Sequence, residues 1–398
     1  MRPILIKSVI LSIIFSASTM SSLKAFQATG KIRKTTTVDE VVREYYLHIP
    51  SQYDGTVKVP LVFMLHGTSG DGEKFYDAHG WKEVAERENF IAVFPSSGRY
   101  KIISDNEIQT TTKWNTQPDA DWTFTEPAKA LDDFKFLRKV IEEVKASFNI
   151  NSKRIYLNGF PNGGQMAAKC AVEMSDVLAA VVENASAFYL DTTYIPKRKL
   201  PVLFQVGNMD YGPGNEGPEV PLQYLDSLLS TPNISYLNGK HFRIAQNHVR
   251  NFELQDNFVI QGDTNTAVVA TYQPLHPGPG TGYEFKFVMV KSLAHQYPNG
   301  NNHPFDAPNI HWKWMQQYEL EEAVAVTEIP HKNLLSIYPN PVSYQFHIDG
   351  YNGNYELYDD KINLVKEGKG NQVEVQGIPN GIYFLKTEIG IAKVFVLR

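Results

Sequence analysis

The 398-residue chain has one cysteine, Cys170, which excludes an intrachain disulfide and leaves core burial to stabilise the fold. A large excess of either charge is missing: the formal net charge is −5, which gives no reason to expect nucleic acid or an anionic membrane as a partner. Long apolar runs are also missing. The run at 8–17 is about half of the ~20 residues a spanning helix needs, and no later stretch is longer, so no membrane-spanning segment is expected after it. Metal-ligand spacing is absent too, since His303 and His311 have no partner ligands near them. Neither a metal nor a cofactor is expected.

What is present alternates between strand and helix patterns. Residues 41–49 are rich in β-branched and aromatic side chains and read as an edge strand. Residues 60–65 form a continuous apolar run, as in a strand buried on both faces, and end in the glycine-rich loop 66–72. A helix is expected at 81–88, a buried strand at 90–94 and a helix at 130–148, where Leu131, Phe134, Leu137, Ile141 and Val144 recur at three- and four-residue steps. Further strands are expected at 178–182, 201–207 and 283–290, and a closing helix at 309–318. This alternation implies an α/β fold with a mostly parallel sheet. Residues 113–126, with Trp114 and Trp122, look loop-like and either line a cleft or pack over the sheet edge. The 84 residues between Asp210 and His295 must hold some regular structure, because a bare loop of that length is improbable.

One stretch organises the rest. A short apolar strand at 155–157 runs into Gly159-Phe160-Pro161-Asn162-Gly163 and then into a helix-forming run. In Gly-x-Ser-x-Gly, such a strand–turn–helix lifts a serine oxygen above the sheet as a nucleophile. A serine esterase also needs a histidine, an acid to orient it, and two backbone N–H groups facing the developing oxyanion. The order nucleophile, acid, histidine is met by position 161, Asp210 after a buried strand and His295 after another. Thr68 and Asn162 stand where the oxyanion donors would be. His66, in the His-Gly pair, supports the loop rather than titrating.

The stretches 60–72, 80–95, 131–140, 155–167, 201–210 and 293–300, in this order, resemble the secreted polyhydroxybutyrate-depolymerase, feruloyl-esterase and acetylxylan-esterase group. The resemblance covers most of residues 40–320 and implies an α/β-hydrolase domain, assigned to 37–320, that acts on esters of polymers or plant-wall material. It carries Asp210 and His295 onto the family's acid and base, and Thr68 and Asn162 onto its oxyanion donors. The family's serine falls on Pro161. Trp114 and Trp122 are candidates to stack on sugar or aromatic rings, with core packing as the alternative.

Proline has no hydroxyl, so no acyl-enzyme can form at 161. Its ring also fixes φ near −65°, whereas the strained elbow holds its central residue at positive φ. Three accounts follow. The domain is a binder that has lost catalysis; or a water at His295, or a hydroxyl of Ser69, Ser97 or Ser186, replaces the nucleophile; or proline arose by a one-base change of a serine codon in an active esterase.

Both ends read as addresses. Residues 1–25 have a basic start (Arg2, Lys7), an apolar core and Leu23-Lys24-Ala25 as a cleavage site, the pattern of a secretory signal. After a patternless charged linker at 321–333, short alternating segments at 335–338, 344–348, 355–358, 372–375, 381–385 and 392–396 suggest a small β-sandwich. Its Tyr-Pro-Asn-Pro opening at 338–341 and its Gly-Ile-Tyr-Phe-Leu-Lys close at 381–386 resemble the type A sorting domain of the type IX secretion system. That resemblance implies recognition of 334–398 by the outer-membrane translocon and a secreted or cell-surface protein. A small carbohydrate-binding module is the alternative.

Overall fold

The computed structural model describes residues 28–118, 120, 122–188, 194–215, 217–232, 240–277, 282–320, 335–361 and 363–397. The expected signal at 1–25 and linker at 321–333 lie outside the described residues. The chain divides into two units, Met1–Glu321 and Glu322–Arg398.

The large unit begins with strands β1 (Gly30–Val38), β2 (Val41–Ile49) and β3 (Val59–Leu65), helices α1 (Gly72–Ala78) and α2 (Trp81–Glu88), and strand β4 (Ile91–Pro95). A three-stranded insert follows: β5 (Gly98–Ser104), β6 (Glu107–Lys113) and β7 (Trp122–Phe124). Then come α3 (Asp133–Ser147), β8 (Ile150–Gly159), α4 (Asn162–Glu173), β9 (Ala180–Asn184) and β10 (Val202–Gly207). The unit ends with α5 (Leu225–Ser230), α6 (Lys240–Phe252), β11 (Leu254–Asp263), β12 (Ala267–Pro274), β13 (Phe285–Val290) and α7 (Ala307–Met315). No helix among the described residues is long and apolar enough to cross a membrane.

Ten of these strands form one sheet in the order β1-β2-β4-β3-β8-β9-β10-β13-β12-β11. The run from β4 to β13 is parallel, with an antiparallel pair on either side. β3, β4 and β10 are buried at every residue, which follows from continuous apolar sequence covered on both faces. Alternate side chains feed two separate cores. Leu61, Phe63 and Leu65 join Leu137, Val140 and Met166 on one face, while Val62 and Met64 join Trp81, Phe94 and Trp312 on the other. Helix α3 starts where the Asp132 side chain accepts from the Lys135 N–H at 2.9 Å, an N-cap that satisfies one orphan donor.

Two sequence readings change, and the expectation of regular structure after Asp210 is met. Residues 41–49 are a strand but not the edge, because β1 pairs outside β2 from Gly30↔Ile49 to Val38↔Val41. The Gly-Lys-Ile-Arg-Lys-Thr-Thr-Thr-Val sequence of β1 is largely exposed, so it lacks the apolar signal that marks a buried strand. Residues 98–126, read partly as loop, hold the β5–β7 insert. The region after Asp210 contains α5, α6 and the β11–β12 hairpin, whose outer strand is mostly exposed.

The small unit carries β14 (Ile337–Tyr338), β15 (Gln345–Ile348), β16 (Gly353–Tyr358), β17 (Leu364–Gly370), β18 (Gln372–Glu374), β19 (Gly381–Thr387) and β20 (Ile391–Val396). They form an antiparallel β14-β15-β18 sheet and an antiparallel β17-β16-β19-β20 sheet. Phe346, Ile348 and Val373 of the first share one core with Leu357, Leu385 and Val394 of the second. β17 was not visible in the sequence, since Leu-Val-Lys-Glu-Gly-Lys-Gly has no alternating pattern.

Candidate active site

At the carboxyl end of β8 the chain turns through Phe160 and Pro161 into α4. The two glycines of the turn are forced by close approach: a Cβ on Gly159 would sit 2.0 Å from the Gly163 carbonyl oxygen, and one on Gly163 would sit 2.2 Å from the Leu65 oxygen. The backbone geometry that an elbow demands is therefore kept at both flanks. At the centre it is not. Pro161 has φ −77° and ψ −40°, in the right-handed helical region, so the turn continues straight into α4 without the strained residue. Its ring packs on the glycine-rich loop after β3, where a Cβ on Gly67 would meet Pro161 Cδ at 2.4 Å.

The acid and the histidine do come together. The His295 Nδ1–H donates to Asp210 Oδ1 over 2.8 Å, and the same oxygen accepts from the Gly212 N–H at 3.0 Å. Asp210 is buried, 2 % exposed. Backbone bonds tie the two loops: Met209 N–H donates to the Leu293 oxygen and Asn208 N–H to the Val290 oxygen. The Phe160 ring lies 5.3 Å from the imidazole, which sets His295 beside the elbow. With Nδ1 bound to the acid, Nε2 faces away from it, and Nε2 is buried with no partner. None of the hydroxyls of Ser69, Ser97 and Ser186 is therefore bonded to it. The Ser97 hydroxyl instead lies 3.3 Å from the Gly98 oxygen.

The loop that carries Thr68, a candidate oxyanion donor, is held by the insert. His66 accepts at Nε2 from the Ser97 N–H and bonds through Nδ1 to the Gly67 oxygen, and its burial lowers its pKa to about 4, so the ring is a neutral brace. Thr68 follows in the same loop, which the Ser69 N–H anchors to the Thr112 oxygen at 3.0 Å. Asn162 is the first residue of α4, where backbone N–H groups have no intrahelical partner. Its side chain accepts the Trp114 N–H at 2.7 Å, and the Trp114 indole N–H donates to the His66 oxygen at 2.8 Å. Trp114 is thus fully buried, a clamp between elbow and loop. Trp122 is also buried, with its ring edge-on to Phe124 at 4.9 Å. Neither offers the open face that stacking on a ligand needs, so both are corrected to packing residues.

A polar network beneath the elbow escaped the sequence reading. The Tyr297 hydroxyl accepts from the indole of Trp81 at 2.8 Å and the amide of Asn158 at 3.0 Å. It donates to His311 Nδ1 at 3.3 Å, and His311 Nε2 in turn donates to Gln205 Oε1. Asn184 completes it by donating to Asn158 Oδ1 and the Gly159 oxygen. Asn158 and Gln205 each interrupt an apolar strand run, which is the signal that would have found them. Tyr297→Phe is expected to lower the unfolding free energy by about 3 kcal/mol, because three buried groups lose their partner. A chemical-denaturation midpoint followed by tryptophan fluorescence measures it. An unshifted midpoint would show the network to be idle.

Residues 44–193 match the family model for esterase PHB depolymerase. The chain is 25 % identical over 138 residues to the bifunctional acetylxylan esterase/xylanase XynS20E of Neocallimastix patriciarum, covering 35 % of this chain and 17 % of that one. It is 25 % identical over 174 residues to feruloyl esterase B of Piromyces equi, covering 42 % and 29 %. To poly(3-hydroxyalkanoate) depolymerase C of Paucimonas lemoignei it is 23 % identical over 146 residues, covering 37 % and 32 %. The aligned part is therefore less than a third of each of these relatives. The stretch that matches this family model, the parallel sheet and the elbow–acid–histidine order all lie in the large unit.

Proposed function

We propose that the large unit is an ester-binding member of this family that has lost acyl transfer. One observation carries the reading: the residue at the elbow is a proline in helical conformation, beside a histidine whose Nε2 has no group to deprotonate. Removing the nucleophile leaves roughly 10³–10⁴ over the uncatalysed rate at best, from binding and the oxyanion donors. A relaxed elbow loses part of that, since one displaced donor costs about 10²–10³. The ligand is an extracellular ester of a polysaccharide or polyester. Residues 334–398 serve as the type IX sorting signal and 1–25 as the export signal, which makes the protein secreted or cell-surface.

The purified chain should hydrolyse p-nitrophenyl acetate at a rate indistinguishable from that of its His295→Ala variant. Brisk turnover that disappears in His295→Ala would overturn the reading. The intact Asp210–His295 pair favours a second reading, in which a water activated at Nε2 attacks the ester. That outcome of the same assay would establish it.

A further inference from the structure

A cavity of about 460 Å³ lies between the start of β2, the end of β4, strand β5 and the segment after β7. This volume is within the range of small-ligand sites, about 300–1,000 Å³. It adjoins the glycine-rich loop after β3, because Ser97 in its wall donates its N–H to His66 at 2.9 Å. Its charges do not cancel. Glu44 and Glu126 are taken by Arg33 and Lys129. Arg43 is 4 % exposed and stacks 4.0 Å over Phe136. It spends one nitrogen, Nη2, on Asp133 and the Ser96 oxygen, while Nε and Nη1 have no partner. Arg99 and Lys101 occupy the outward positions of β5, exposed, with no acidic partner among the described residues. The rings of Tyr100 and Phe124, edge to face at 4.8 Å, supply the apolar wall.

We propose that this cavity binds a carboxylate-bearing sugar ring, as in an acidic polysaccharide, with the carboxylate held by Arg99 and Lys101. Cations at the rim attract the carboxylate, and the Ser96, Ser97 and Thr125 hydroxyls, each bonded once within the protein, line the same cavity. A polymer anchored here would lie alongside the loop that borders the elbow, so the cavity would select acidic chains for the same domain. The assignment stands on charge and shape alone and does not depend on whether position 161 catalyses.

Titration calorimetry of the full chain with trigalacturonate tests it, with the fully methyl-esterified trimer as neutral control. Binding of the acid should exceed that of the ester and weaken with added salt. The Arg99→Ala/Lys101→Ala double variant, altered only at exposed positions, should bind trigalacturonate about tenfold more weakly. Equal affinity for the two trimers, no binding of either, or a double variant with unchanged affinity would each overturn the proposal. Circular dichroism identical to the parent verifies that the variant is folded.

Discussion

Pro161→Ser is expected to raise p-nitrophenyl acetate hydrolysis by about 10²–10³-fold and to produce a burst of p-nitrophenolate. On the proposed function, the other parts of an esterase site are already in place. Asp210 already orients His295, Nε2 is free to take a proton, and Gly159 and Gly163 already make the close approaches of an elbow. The gain stays well below the ~10⁶ associated with a complete triad because the turn must also change shape. Serine can leave the helical φ of −77° for the strained conformation, which costs about 1–3 kcal/mol, and the proline's stiffening of the unfolded chain is lost as well. The variant is therefore expected to melt lower while reacting faster. The control is Pro161→Ser/His295→Ala, in which both burst and turnover should vanish. A folded Pro161→Ser protein with no burst would show that the lesion extends beyond the missing hydroxyl, to the oxyanion donors at Thr68 and Asn162.

The parts of this fold that could be read in advance were those with one dominant physical signal. Buried parallel strands announce themselves as apolar runs, and Leu137, Ile141 and Val144 mark α3 by helical period. The glycines of the elbow are visible because nothing larger fits. The acid–histidine pairing was legible through chain order alone, and the two residues, 85 apart in sequence, meet at 2.8 Å. What stayed hidden had mixed signals. β1 and β11 are exposed strands held by backbone pairing, so their side chains report solvent rather than the sheet. The β5–β7 insert has short strands around tryptophans that resemble cleft residues until their burial is seen. Tyr297, Asn158 and Gln205 act through partners distant in sequence, and a lone polar residue in an apolar run does not name its partner.

Lowering the pH from 7 to 4.5 is expected to unfold the large unit, and histidines are the cause. His66, His241 and His311 are at most 2 % exposed. Burial pushes their pKa values down, to about 4 for His66 and about 3 for His241 and His311, with the neighbouring Lys240 also lowering that of His241. In the unfolded chain each returns to ~6.5. The unfolded state then binds more protons below pH 6.5, so stability present above that value is lost as the pH falls toward the folded pKa values. Three such groups give a slope approaching 4 kcal/mol per pH unit, and a loss of the order of 8 kcal/mol by pH 4.5. That is comparable to the whole stability of a typical domain, about 5–15 kcal/mol. Ordinary carboxylates titrate near 4, while the buried Asp133 and Glu183, whose pKa values burial raises, act against the histidines as the pH falls. All five tryptophans lie between positions 81 and 314, so their fluorescence reports the large unit without interference from the tail. A melting temperature that falls steeply between pH 6.5 and 4.5 is the expected result. A flat profile across that interval would mean that the buried imidazoles gain protons without unfolding, and that their surroundings admit charge.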